Sequence, residues 1–248
     1  MKISIVTVTY NAASTIVDTL RSVAQQTHRD IEHVVVDGAS RDDTVEKVRR
    51  HGSRVSHLIS ESDQGIYDAM NKGAALASGD LIGFLNADDA LAGAGCIARL
   101  AERAEQTGAD ALYADLVYAR EDDLSATVRR WKAGSFSAAQ LRWGWMPAHP
   151  TFYVRRDRFL ALGGFDTRFR IAADYDFMLR FLTQPGIHVE RVPQVMVRMR
   201  MGGASNRSLA AMILKSREDL RAMRHSGVGG IGTLVCKNVR KLPQFFQR

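Results

Sequence analysis

Residues 55–89, VSHLISESDQGIYDAMNKGAALASGDLIGFLNADD, lay out one strand–helix–strand unit. Val55 to Ile59 is a short apolar run of strand type, and Leu81 to Leu85 is a second one, ending in Asn86-Ala87-Asp88-Asp89. Between them Ile66 to Ala77 carries a helical pattern, stopped by Gly79. The same alternation precedes this unit. Lys2 to Thr9 is rich in β-branched residues and reads as a buried strand, and Ile31 to Val36 as another, ending in Asp37-Gly38. Ile16, Leu20 and Val23 share a helical face after Asn11 and Ser14, which can cap it; Asp42 can cap a helix carrying Val45 and Val48. Strand–helix alternation at this spacing predicts right-handed crossovers, hence an α/β fold with one Rossmann-like, mostly parallel sheet and helices on both faces.

Beyond residue 90 the rhythm loosens. Ile97 to Gln106 reads as a helix, Ala111 to Tyr118 as a strand, and Glu121 to Asp123 as a turn into Thr127 to Trp131. Residues 133–150 look loop-rich. Thr151 to Val154 reads as a strand, Asp157 to Leu162 and Asp174 to Leu182 as helices, and Val189 to Met201 as one or two strands. Ser208 to Arg224 is a long helix whose expected inner face is Leu209, Met212, Ile213, Ser216, Leu220 and Met223.

At 248 residues with 46% hydrophobic and 25% charged, the chain is of ordinary globular composition and needs no disulfide or zinc staple; Cys96 and Cys236 match no such framework. No apolar stretch is long enough for a membrane span, and the N-terminus does not resemble a signal peptide, so the cytoplasm is expected. The net charge of +7 is unevenly spread: residues 191–248 hold 12 Lys/Arg against 2 Asp/Glu, and residues 1–190 hold 22 against 25. A basic tail of this kind suits an anionic partner.

In an open parallel sheet, ligands bind beyond the carboxyl ends of the strands. Three of the first four strands end in polar clusters: Thr9-Tyr10-Asn11, Asp37 to Ser40, and Asn86 to Asp89. Adjacent carboxylates at Asp88-Asp89 repel each other, and a hard divalent cation shared with substrate phosphates would relieve this; a solvated turn is the alternative. No GxGxxG or GxxxxGK[ST] follows a strand, which disfavours dinucleotide and P-loop chemistry.

Six segments carry a resemblance: TVTYN (7–11), VVVDGASRDDT (34–44), ESDQGIYDAMNKGAALASGDLIGFLNADD (61–89), HPTFYVRR (149–156), GGFDTRF (163–169) and AADYDFMLR (172–180). In this order they resemble an inverting family 2 glycosyltransferase of the GT-A fold, in the branch that builds bacterial surface polysaccharides, across residues 3–205. The resemblance implies a catalytic domain over 1–205, with a nucleotide-sugar half to about 90 and an acceptor half to 205, and leaves 206–248 as a basic helical extension. It implies that Thr9, Tyr10 and Asn11 cradle the nucleotide base, that Asp37 accepts from a uracil ring N–H, and that Asp63 and Lys72 border the donor pocket. Lys72 either faces diphosphate oxygens or is a solvated helix residue.

The family's DxD metal motif stands here as Asn86-Ala87-Asp88, which leaves Mg²⁺ or Mn²⁺ mainly to Asp88, with Asp89 the weaker candidate. The ion would act as a Lewis acid on the departing nucleoside diphosphate. Asp174, in AADYDF, corresponds to the base that deprotonates the acceptor hydroxyl, although Ala173 replaces the usual Glu before it. Asp176 lies two residues on and points elsewhere. His149 is either a ligand of metal, phosphate or acceptor, or a structural histidine. Arg198 and Arg200 alternate onto one face of a strand and either serve a diphosphate or lie on a solvated edge. Trp143 and Trp145 either stack on acceptor sugar or belong to the core.

The implied partners are a nucleotide-sugar donor, uridine-linked, and a lipid-linked glycan acceptor, with no nucleic acid. In the tail, Ile231, Leu234, Val235, Val239, Leu242, Phe245 and Phe246 alternate with Lys237, Arg240, Lys241 and Arg248. That mixture suits a helix lying in the membrane interface at the inner face of the plasma membrane, or one docked on the domain or on a partner subunit. The competing functions are a nucleotide-sugar-binding module without turnover and a nucleotidyltransferase of similar fold.

Overall fold

A computed structural model of the chain describes residues 1–202 and 209–240. Strand β1 (Ile3–Thr9) is buried along its whole length, with β2 (Ile31–Asp37) and β4 (Leu81–Phe84) parallel on its two sides and β3 (Val55–Ser60) outside β2. A parallel strand covered on both faces has no polar side, which is why ISIVTVT reads as a continuous β-branched run. Helices α1 (Ile16–Ala24), α2 (Thr44–His51) and α3 (Ile66–Leu76) make the crossovers. On α3, a Cβ at Gly73 would lie 2.4 Å from the Val6 side chain, so glycine there sets how closely the helix approaches the sheet.

The second half adds β5 (Ala90–Leu91), α4 (Cys96–Thr107), β6 (Ala111–Ala119), β7 (Thr127–Trp131), α5 (Ala138–Leu141), a 3₁₀ turn (His149–Thr151), β8 (Tyr153–Arg155), α6 (Arg156–Ala161), α7 (Ala173–Leu182), β9 (Val189–Arg200), α8 (Leu209–His225) and α9 (Ile231–Val239). The sheet order is β3-β2-β1-β4-β8-β6-β9-β5, with β7 paired to β6. Strands β1–β4, β6 and β9 run one way, while β5, β7 and β8 run against them. The expected α/β architecture is present, with short antiparallel β8 splicing the two parallel groups.

Several local expectations are corrected. Thr151 belongs to the 3₁₀ turn rather than to a strand, because its hydroxyl is bound to the Ala148 and Ala114 carbonyls. Val189–Arg200 is one strand, irregular where it passes Asp115 of β6. Asn11 does not cap α1; it takes a left-handed backbone (φ 48°) and its amide oxygen accepts the Arg41 N–H at 2.9 Å. On α8, Met212 and Ile213 are exposed, and the buried face is Glu218, Asp219, Ala222 and Met223. Two carboxylates go inward because donors wait for them there. The side chain of Leu209, the 203–208 segment with the expected helix start at Ser208, and tail residues 241–248 lie outside the described residues.

Candidate active site

The loops after β1, β2 and β3 meet at one end of the sheet and tie to one another. Asn11 N–H donates to Ser40 Oγ (2.8 Å), Ala12 N–H to Thr44 Oγ1 (2.8 Å) and Ala13 N–H to Asp42 Oδ2 (3.1 Å). Asp37 is fully buried. It accepts the Ser40 N–H (2.9 Å), the Ser60 hydroxyl (2.7 Å) and the Ser40 hydroxyl. As it stands Asp37 holds the loop, and a base N–H would have to displace Ser40 Oγ from it. Tyr10 and Asp63 border Gly38: a Cβ there would lie 2.5 Å from Asp63 Oδ2 and 3.5 Å from the Tyr10 ring. Tyr10 is exposed and Asp63 half-buried, so this corner offers an open ring beside a carboxylate. Thr9 is buried, its hydroxyl without a hydrogen-bond partner among the described residues. Lys72 lies 2.8 Å from Glu61 and 3.5 Å from Asp68 and donates to the Ser62 carbonyl, which fits the solvated-helix alternative.

At the end of β4 the adjacent carboxylates part company. Asp88 and Asn86 are half-buried and Ala87 is buried. Asp89 turns inward, accepts the Arg200 N–H at 3.0 Å and lies 3.4 Å from the Asn86 amide. Burial first, and the charge of Asp88 second, push the Asp89 carboxyl well above the usual range. Asp89 is thus turned into the protein on the Arg200 amide, and Asp88 is the more open of the two carboxylates. Among the described residues no three His, Cys, Asp or Glu side chains converge as a metal cage. A half-buried Asp88 is nevertheless the donor set expected for a hard cation that takes most of its oxygens from substrate phosphates and water.

Arg198 and Arg200 share a face, as predicted, but their guanidinium groups go to the 121–125 turn. Arg198 reaches the Leu124 carbonyl (3.3 Å); Arg200 donates to the Glu121 and Asp88 carbonyls and pairs with Asp18 at 2.9 Å. Trp145 is 4% exposed, donates to the Ala133 carbonyl and packs on Tyr113 and Phe136, so it is core; Trp143, at 64%, is the accessible indole.

The third group surrounds Asp174, in the first turn of α7. Its Oδ1 is 3.0 Å from Tyr67 Oη on α3, and its Oδ2 is 3.9 Å from His149 Nδ1. A quarter of the Asp174 side chain stays open to solvent. His149 stacks on Phe84 and meets Phe165 edge-on. Burial lowers the His149 pKa against the pull of Asp174, which favours the neutral imidazole. Burial, and then the Asp174 charge, push the Tyr67 phenol well up, so it stays a donor.

The loop that delivers Asp174, residues 162–172, is pinned along its length. Arg180 donates to the Leu162 and Gly164 carbonyls (both 2.7 Å) and pairs with buried Asp176 at 2.7 Å. Asn71 brackets Phe165, donating to its carbonyl (2.8 Å) and accepting its N–H (2.9 Å). Gly164 adopts φ +65°, where a Cβ would sit 2.6 Å from the Asn71 amide oxygen, which accounts for the Gly-Gly turn. Tyr67 also reaches the Ile171 carbonyl at 2.7 Å. Glu218 of α8 accepts the N–H groups of Arg170, Ile171 and Ala172 at 2.8–2.9 Å.

Tyr67, Asn71 and Glu218 were missed from sequence. Tyr67 and Asn71 stand four apart inside DQGIYDAMNKG, one face of a helix, and that spacing was the available signal. In the tail, Lys237 fits the alternative of a helix docked on the domain: it is buried, 2.7 Å from Asp219 and 3.3 Å from the centre of the Tyr175 ring. Burial lowers its pKa to about 8 against the pull of Asp219.

This sheet, with its loops gathered at the strand ends, is the nucleotide-sugar-binding architecture of GT-A glycosyltransferases. The structure of Staphylococcus aureus TarS 1–349 in complex with UDP-GlcNAc matches it with a TM-score of 0.71 at 17% identity, covering 92% of this chain and 66% of that one; the chain is thus shorter than this neighbour. The mannosyltransferase PcManGT from Pyrobaculum calidifontis, in complex with GDP-Man and Mn²⁺, matches with a TM-score of 0.69 at 20% identity, covering 98% and 70%.

The sequence profile of Glycosyl transferase family 2 matches residues 4–199, and the chain belongs to that family. A PGL/p-HBAD biosynthesis glycosyltransferase of Mycobacterium tuberculosis is 33% identical over 251 residues, covering 99% of this chain and 92% of the relative.

Proposed function

We propose that the protein is an inverting glycosyltransferase that moves a hexosyl or N-acetylhexosaminyl group from a uridine-linked nucleotide sugar to a hydroxyl of a lipid-linked glycan. The observation that carries this reading is Asp174: a partly open carboxylate fixed by Tyr67 on one oxygen and bordered by His149 on the other. In a single displacement the acceptor hydroxyl gives its proton to Asp174 while its oxygen attacks the anomeric carbon. The bond to the diphosphate breaks with its electron pair leaving on the phosphate oxygen, so the anomeric configuration inverts. Tyr67 holds the carboxylate in place, and neutral His149 adds no cation that would weaken it as a base. Tyr10 and Asp63 border the nucleotide base, with Asp37 behind them. A Mg²⁺ or Mn²⁺ ion held by Asp88 and substrate oxygens would supply charge neutralisation for the departing diphosphate.

A lipid-linked acceptor calls for attachment at a membrane surface. No helix among the described residues is long and apolar enough to cross a membrane. The outer stripe of α9, Ile231, Val235 and Val239, is exposed at one-turn intervals and supports peripheral contact. The direct test of the donor is a thermal-shift screen of nucleotide sugars with and without Mn²⁺. Stabilisation by uridine-linked sugars, enhanced by Mn²⁺, is expected. A response confined to guanosine-linked sugars would overturn the uridine assignment, and no response to any would overturn the reading.

A further inference from the structure

In residues 191–248 the only two acidic residues are Glu218 and Asp219, among 12 Lys and Arg. Chance and solubility would leave them on the surface, paired to neighbouring cations. Both are instead buried. Among the described residues Glu218 takes no cation: its two oxygens accept three consecutive backbone N–H groups, Arg170 on Oε1 and Ile171 and Ala172 on Oε2. Ala172 is the residue immediately before α7, and Asp174 is the second residue of that helix. Three consecutive backbone donors leading into the helix, the last of them at its N-cap, are met by one charged acceptor from another part of the chain, a charge-assisted arrangement roughly twice as strong as neutral bonds.

Asp219 anchors the same turn of α8 from the other side. It pairs with Lys237 of α9, whose ammonium also lies on the ring of Tyr175, the residue after Asp174. The extension therefore grips the α7 entry at two points flanking the proposed base, one on the backbone before it and one on the side chain after it. The family profile ends at residue 199, so neither α8 nor α9 lies in the matched segment.

We propose that Glu218 is a positioning residue for the reaction, and that the C-terminal helices complete the acceptor side of the active site rather than serve as an appended tail. The proposal rests on Asp174 being the base. Tyr67 fixes one oxygen of Asp174 and the Ile171 carbonyl, and Glu218 fixes the amides of the same loop; the carboxylate is set between them. Loss of the Glu218 grip would let the loop shift against Tyr67. Misplacement on the ångström scale costs on the order of a hundredfold in rate when a reacting group must be held in line.

Glu218→Gln puts an NH₂ group against backbone N–H donors while keeping volume. The expected result is a fall in kcat of about ten- to a hundredfold with the donor KM within about twofold, because the amides that Glu218 holds belong to the 170–172 segment and not to the loops after β1 and β2. Amide exchange should accelerate at Arg170, Ile171 and Ala172 and not in the loop after β2. Glu218→Asp, which keeps the charge but falls short by one methylene, should recover part of the rate; it also serves as the variant to measure if Glu218→Gln does not fold.

An unchanged kcat in folded Glu218→Gln, or a matching loss of donor affinity, would overturn the positioning role. Asp174→Asn is measured beside it. Full transfer by Asp174→Asn would show that the reading of the site had failed, whereas an inactive Asp174→Asn with a fully active Glu218→Gln would refute this inference alone.

Discussion

The donor-side loops and the wall that carries Asp174 are held in different ways. After β1 and β2, short polar side chains bond to backbone or hydroxyl groups close by or one strand across: Asp42 to Ala13 and Thr44, Asn11 to Arg41, Asp37 to Ser40 and to the Ser60 hydroxyl. The 162–172 loop is gripped by side chains from α3, α7 and α8, with Asn71 reaching 94 residues and Glu218 reaching 48. A surface built from local ties can adjust to a ligand one loop at a time. A wall pinned at several depths moves as a unit or not at all, which suits a group that must stand ready at one place.

That contrast can be broken most sharply at the buried pair. Lys237→Met leaves the Asp219 carboxylate buried without its cation, and the expected loss in unfolding free energy is about 3–5 kcal/mol by denaturant titration. Replacing both, with Asp219→Leu added, should recover most of it, since a buried ion pair is often no more stable than apolar side chains of similar volume. A single variant as stable as the parent would show that α9 is not fastened to the wall.

The donor half has its own buried titration. His33 of β2 is enclosed, its Nε2 3.0 Å from Thr7 Oγ1, and burial lowers its pKa from 6.5 to about 4. Between those values the unfolded chain binds a proton that the folded chain does not, so stability falls as pH drops from about 6.5 to about 4. The full contribution is about 3 kcal/mol at 1.36 kcal/mol per unit. His33→Gln, neutral throughout, should flatten the dependence; an unchanged slope would place its origin elsewhere. The smallest effect is expected at Lys72. Its partners are Glu61 and Asp68, so Lys72→Gln should leave donor affinity and turnover unchanged. A large rise in donor KM would restore it to the diphosphate.

The same contrast explains what could be read from the sequence. The parallel first half was legible because β1, β2 and β4 are continuous apolar runs and their connections are helices of regular period. The polar clusters that hold Tyr10, Asp37 and Asp88 were legible as loops at strand ends, where open sheets gather ligands, whereas Asp63 came only with the family resemblance. Trp145 was ambiguous because an indole in a loop looks the same whether its N–H meets a sugar or, as here, the Ala133 carbonyl. Arg198 and Arg200 alternate correctly, yet alternation says which face a side chain takes and nothing about the turn waiting on it. Glu218 was invisible because its partners are backbone amides 46 to 48 residues away, and a backbone amide has no letter in the sequence. On α8 the apolar stripe found Met223 but put Met212 and Ile213 inward and could not show the inward turn of Glu218 and Asp219, for the same reason.

The most direct measurement of the central claim follows glycosyl transfer and nucleotide-sugar binding together in Asp174→Asn, whose amide keeps the shape of the carboxylate but cannot take a proton. Donor binding equal to the parent, with transfer reduced by about a thousandfold, is the predicted result. Transfer near the parental rate, with binding intact, would contradict it and leave the acceptor proton to another group.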